Sequence, residues 1–182
     1  LYTFSNEKPL FSELEQTVFR NIVVDAQKNN GNDIRVVVYA SDNAGNAVSE
    51  SVTLKIDTVK PEGCLSYGTV KWNELQSVIS RDIYRNEDVK LEYAVFDAVS
   101  GVKSTAYMIV RTQRDEQMTG LLTEAELEAV DESEWVYVAE NNIMSGEIEL
   151  SSDGAYVIYM KIADMAGNVR YLSSNCIVVD KT

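Results

Sequence analysis

The chain has 182 residues, 45% of them hydrophobic, and a formal charge of −13. That is enough apolar material for one or two packed cores, while the negative balance argues against binding nucleic acid or an anionic membrane through bulk electrostatics. With 0 His and 2 Cys, the chain cannot build Ser-His-Asp or Cys-His nucleophile systems, His-ligated zinc or iron, or a four-thiolate zinc site of its own.

Residues 1–58 form a first β module in this reading. Residues 1–4 are a strand end, 9–16 a loop or helical turn, 17–24 a strand, and 28–33 a turn by composition. The run Ile34-Arg-Val-Val-Val-Tyr-Ala40 is β-branched and aromatic and suits a pleated strand. Asp42-Asn-Ala-Gly-Asn46 breaks it, because Gly45 and Asn46 tolerate positive φ and the Asp42 carboxylate can take nearby backbone N–H groups. A second strand returns over 48–57, so the whole reads as a hairpin. As a calcium loop the same stretch offers too few ordered oxygens, since an EF-hand needs about 12 residues closing on a Glu. Asp57-Thr-Val-Lys-Pro61 then marks the module boundary, where Pro61 stops a strand and stiffens a short linker.

Residues 59–182 form the second module. Cys64-Leu-Ser-Tyr67 is its first strand, and Trp72 sits in a polar connection. Residues 88–96 alternate cleanly, with Val89, Leu91, Tyr93 and Val95 on one face. Asp97-Ala-Val-Ser-Gly101 is a turn in which Asp97 bonds backbone and Gly101 supplies the unusual φ, and 102–110 returns as a strand. Residues 111–134 are an acidic insertion carrying a short helix, signalled by the capping box Thr123-x-x-Glu126. Strands resume at Trp135 and over 146–150. Asp153-Gly154 then turns into a second alternating run, a second Asp164-Met-Ala-Gly167-Asn168 turn, and a returning strand over 171–180. Aligning Gly45 with Gly167 gives a period of 122 residues (167 − 45), the mark of tandem modules. By that period the first module matches only the C-terminal half of the second, so it is truncated at its N-terminus or is a reduced sandwich. The chain opens on Leu1 rather than Met and reads as a fragment of a longer protein.

The charge is uneven: residues 1–58 hold 5 Lys/Arg and 8 Asp/Glu, and residues 59–182 hold 11 and 21. Within 111–134 the acidic residues make a solvated helix face, with Glu126 and Asp131 as candidates for a cation or a basic partner. Trp72, in a polar segment, is the candidate for stacking on a sugar ring, while Trp135 reads as core. No P-loop, GxGxxG or GxSxG pattern is present, and no spacing singles out a catalytic carboxylate pair. No catalytic residue, cofactor or metal is therefore expected.

The order Asp97-x-x-Ser-Gly-Val102, Tyr107, Trp135, Gly154-x-Tyr-x-Ile-Tyr159, Asp164-x-Ala-Gly-Asn168, Ile177-Val-Val-Asp180 resembles bacterial Ig-like repeats of large secreted and wall-anchored Gram-positive proteins. The resemblance covers 59–182, and 17–61 as its C-terminal half. Met165, where the first copy has Asn43, departs from a shared hairpin sequence and weakens any shared ligand. The resemblance implies an all-β chain of tandem immunoglobulin-like sandwiches, an extracellular or wall-attached location, and no shared catalytic residues. It also places the first and last strands side by side, which makes a Cys64–Cys176 disulfide an expectation beside the alternative of two buried thiols. The expected role is a non-catalytic spacer whose partners are its neighbouring domains. The alternatives are a glycan- or matrix-binding adhesin module and an accessory domain of a large extracellular glycoside hydrolase or protease.

Overall fold

The computed structural model describes residues 24–78, 80, 83–112, 121–140 and 144–182. The strands expected within residues 1–23 lie outside them. The chain divides into two compact units, Leu1–Val59 and Lys60–Thr182.

In the first unit β1 (Asp33–Ser41) and β2 (Ala47–Lys55) form an antiparallel pair in the register Val36↔Val52 and Ala40↔Val48. The Asp42 carboxylate accepts from the Ala44 and Asn46 N–H groups at 2.9 and 2.8 Å and from the Asn46 side-chain amide at 2.6 Å. Those bonds hold its pKa below the usual carboxylate value, the Asn46 amide contributing most. Gly45 takes φ +89°, where a β-carbon would be strained. The base of the hairpin is tied by Gly31 N–H to Ile56 O at 2.8 Å and Thr58 N–H to Asn30 Oδ1 at 2.7 Å.

The second unit contains β3 (Glu62–Tyr67), β4 (Val70–Trp72), β5 (Ile83–Arg85), β6 (Val89–Phe96) and β7 (Val102–Thr112). The helix α1 (Glu124–Glu128) and a 3-10 turn (Glu132–Glu134) follow. Then come β8 (Val136–Glu140), β9 (Ser145–Leu150), β10 (Gly154–Asp164), β11 (Val169–Ser173) and β12 (Ile177–Val179). They make two sheets, β4-β3-β6-β9 and β5-β12-β10-β7-β8, with β11 also paired to β10. The second unit is thus an all-β, sandwich-like body.

Between the sheets lies one core. The inward alternation of β6 (Val89, Leu91, Tyr93, Val95) and of β9 (Ile148, Leu150) meets Tyr156, Ile158, Met160 and Ile162 of β10. The fit is close at Gly63, where a β-carbon would stand 2.8 Å from Leu172 Cδ2 and collide with Ile162. β10 is buried on its other face too, through Ala155, Val157 and Tyr159. That explains why its sequence runs apolar without alternation.

Two expectations about connectivity change. Residues 102–112 do form a strand, but β7 pairs with β10 and β8. The Asp97 turn therefore carries the chain from one sheet to the other instead of closing a hairpin. The returning strand over 171–180 is split into β11 and β12. At the break Ser174 N–H donates to Ile158 O at 2.9 Å and Ile158 N–H to Ser174 Oγ at 3.0 Å, so a side chain replaces one ladder bond. β12 then runs parallel to β5.

Candidate functional site

The two Asp turns of the second unit meet at one end of its sheets. Asp97 Oδ1 accepts from the N–H groups of Val99, Ser100 and Gly101 at 3.1, 2.8 and 2.7 Å. Asp164, fully buried, accepts from the Asn168 N–H at 2.8 Å and from its side-chain amide at 2.7 Å. Gly167 takes φ +96° and its N–H donates to Asp164 O at 3.3 Å, matching Gly45 and Asp42 in the first hairpin. Met165 N–H donates to Gly101 O at 3.0 Å and so couples the two turns. The carboxylates of Asp97 and Asp164 approach within 4.8 Å, which sets a repulsion of roughly 3.5 kcal/mol at an effective dielectric of 20. The five N–H groups that donate to the pair, at roughly 1.5 kcal/mol or more each for a charged acceptor, outweigh it. Among the described residues of this unit, the pair is where carboxylates from two turns converge. The hydrogen bonds give both a turn-locking role.

The acidic insertion keeps its carboxylates on a solvated face, as expected, and covers the sheet with its apolar underside. Thr123 and Glu126 form the expected capping box: Thr123 N–H donates to Glu126 Oε2 at 2.8 Å, and Glu126 N–H to Thr123 Oγ1 at 3.4 Å. The bonds from Thr123, backbone first, hold the Glu126 pKa below its ordinary value. Asp131 caps the 3-10 turn, accepting from the Ser133 hydroxyl at 2.6 Å and its N–H at 2.9 Å, which lowers its pKa likewise. Glu132 takes hydrogen bonds from Lys161 and from the Tyr137 hydroxyl, the latter at 2.5 Å. Its pKa falls, Lys161 contributing most, and the Tyr137 phenol is pushed up to about 12. Glu124 pairs with Lys60 at 2.5 Å. The underside of the insertion is apolar. Leu127 and Trp135 are buried against Met108, Val157, Tyr159, Tyr171 and Val178, which makes a second core on the outer face of the β10 sheet. Lys161 Nζ lies 5.6 Å from the Trp135 ring centre. Glu126 and Asp131, singled out as ligand candidates, each commit one carboxylate oxygen, Oε2 and Oδ1, to capping their own turn.

Trp72 is a correction. It belongs to β4, pairs with Leu65, and is 3% exposed inside the inter-sheet core. A ring so placed cannot stack on a sugar. The cysteine expectation is corrected as well, since no disulfide joins Cys64 and Cys176. β3 pairs with β4 and β6, whereas Cys176 packs in the second core on the outer face of the other sheet. The first and last strands are therefore not neighbours.

Sequence reasoning missed a groove on the outer face of the four-stranded sheet. It measures about 480 Å³ and is lined by Cys64, Ser66, Lys71, Glu92, Ala94 and Glu147, among others. Glu92 and Glu147 stand directly opposite each other in the β6–β9 register, an unfavourable like-charge pair. Lys90 Nζ lies 3.6 Å from Glu147 and relieves part of it. The available signal was the run of small or polar residues at the outward positions of β3, β6 and β9.

No protein-family model matches the chain, and no curated protein is significantly similar to it.

Proposed function

We propose that the chain is a non-catalytic spacer and interaction segment of a larger bacterial cell-surface or secreted protein, built from tandem Ig-like modules. One observation carries this reading. The same Asp-x-Ala-Gly-Asn hairpin recurs 122 residues on (167 − 45), with matching carboxylate-to-Asn bonds and matching positive φ at its glycine. A duplicated structural element whose carboxylates are spent on its own turns suits an array that holds other domains at a distance. Its mechanism is passive, resting on hydrogen-bonded ladders, a Pro-containing connection and an acidic, soluble surface.

The test is to tether the chain by its ends and stretch it. The Lys60–Thr182 unit should give way in one step that releases about 400 Å of contour, at about 3.3–3.6 Å per residue. It should refold on relaxation. Gradual lengthening with no discrete step, or turnover of a substrate traced to residues of this chain, refutes the proposal.

The groove on the four-stranded sheet supports a second reading, a module that binds an extended glycan or matrix-protein segment. Glycan and matrix arrays decide between the two, with Lys71→Ala and Glu92→Ala as paired variants. Binding that both variants abolish at unchanged melting temperature establishes the second reading, and no binding at all removes it.

A further inference from the structure

Asn30-Gly31 is the one Asn-Gly step in the 182 residues; the residue after every other Asn carries a side chain. Asn is chemically labile, and it is most open to attack by the following backbone nitrogen when Gly supplies that nitrogen, because Gly has no β-carbon to obstruct the approach. The nitrogen bonds to the Asn Cγ, the side-chain nitrogen leaves as ammonia, and a succinimide ring closes. Water then opens the ring at either carbonyl and leaves isoaspartate or Asp. The sum is one water consumed and one ammonia released, with no oxidant, metal or second enzyme in the balance.

The base of the β1–β2 hairpin holds both reacting groups in other bonds. Gly31 N–H, the nucleophile, donates to Ile56 O at 2.8 Å. Asn30 Oδ1, on the carbonyl that would be attacked, accepts from Thr58 N–H at 2.7 Å and from Thr58 Oγ1 at 3.1 Å. Ring closure needs the Gly31 nitrogen to give up its proton and turn to Cγ, so the bond to Ile56 has to break first. The Asn30 amide has to leave the Thr58 donors that fix its position. These bonds lie beyond the last paired residues of the ladder, Asp33 and Lys55. The end of a two-stranded ladder is where local opening costs least. Gly31 is exposed, with φ +76° and open space where a β-carbon would stand, so its nitrogen meets water and base once the bond is released.

We propose that Asn30 is a self-modification site gated by the hairpin base: kept as Asn while the base is closed, converted to isoaspartate and Asp when it opens. The isoaspartate product does not close back. It runs the main chain through the side-chain carboxyl, which inserts a methylene between residues 30 and 31 and moves Gly31 N–H out of register with Ile56 O. The tie on Thr58, next to the end of the unit at Val59, is lost with it. Each opening thus carries a chance of being recorded irreversibly.

The test is peptide mapping of the full chain during incubation at mildly alkaline pH, folded and in guanidinium chloride. Trypsin cuts after Lys28 and Arg35 and frees residues 29–35 as one peptide; electron-transfer fragmentation places the change and separates isoaspartate from Asp. In the unfolded chain residue 30 should convert ahead of Asn43 and Asn46. In the folded chain it should convert roughly twentyfold more slowly, since each of two net hydrogen bonds weighs about fivefold in the opening equilibrium. Thr58→Val, which removes one donor and keeps the N–H, should speed the folded chain up to about fivefold. In the converted chain the Gly31 amide hydrogen should exchange with solvent faster than in the parent. Equal rates in folded and unfolded chain overturn the gate, as does a slower rate in Thr58→Val, which would make the hydroxyl a promoter. Conversion at residue 30 no faster than at Asn43 and Asn46 in the unfolded chain overturns the site, and unchanged Gly31 exchange after conversion overturns its irreversibility.

Discussion

Leu127→Ala tests whether the acidic insertion is part of the fold or an ornament on it. Leu127 lies in α1 and is 1% exposed, packed over the outer face of the β10 sheet with Trp135 and Tyr159 as neighbours. Within the helix the change is neutral or slightly favourable, because Ala is the better helix former. Any loss therefore reports packing. Deleting a buried Leu side chain costs about 2–5 kcal/mol, depending on how far the site collapses. α1 is one short turn flanked by loop and can settle inward, so about 3 kcal/mol is expected. Urea unfolding followed by tryptophan fluorescence is the assay, since Trp135 sits in the same cluster. Glu128→Ala, on the exposed side of the same helix, is the control and should move stability by less than about 0.5 kcal/mol. If the two variants unfold at the same midpoint, the insertion is not packed on the sheet and the second core is refuted.

Trp72→Ala should cost about 3–5 kcal/mol and broaden or abolish the cooperative transition, because the ring fills the inter-sheet core; an unchanged melting temperature would contradict its burial. Intact mass should not change on reduction, and in the native protein Cys64 should alkylate well before Cys176, which is fully buried; rapid modification of both would contradict this. In a spectrophotometric titration Tyr137 should ionise near pH 12, the bond to Glu132 being the main cause, and Glu132→Gln should bring it down toward 10. A phenol pKa raised on folding gives stability that is complete below about pH 10 and is lost as pH climbs toward 12. Glu126, Asp131 and Glu132 have lowered values, so their contribution is present above about pH 4 and fades as acid takes pH down through the folded values. Circular dichroism melts across both ranges would show a flat plateau between them.

The strands were legible in the sequence where period two is imposed by one wet and one dry face, as in β6 and β9. Turns were legible wherever one residue type does the work, as at Asp42-x-x-Gly45-Asn46, Asp97 and the Thr123–Glu126 capping box. Sheet membership was not. Residues 97–101 read as a hairpin turn because nothing local distinguishes a return along the same sheet from a crossing to the other; β10, distant in sequence, supplies the deciding partner for β7. Trp72 misled for a similar reason. Its neighbours Lys71 and Asn73 are polar, but a three-residue strand paired to Leu65 turns the ring inward. Leu127 and Trp135 announced themselves as apolar, yet the surface they cover exists only once β7 and β10 have paired.

The same contrast bears on how an acidic chain of this kind should be read. Asp42, Asp97, Glu126, Asp131 and Asp164 look like ligand oxygens when listed by type. In the folded chain each accepts backbone N–H groups within four residues of itself. Their number tracks the number of turns and caps that had to be closed. The apolar side of β1–β2 shows the opposite case. Its residues look ordinary by type, and only the register, compared with β10, shows that among the described residues no second sheet faces them as one faces their counterparts. For this chain a search for interaction is therefore better aimed at uncovered hydrophobic faces and at the groove beside Glu92 than at its abundant carboxylates.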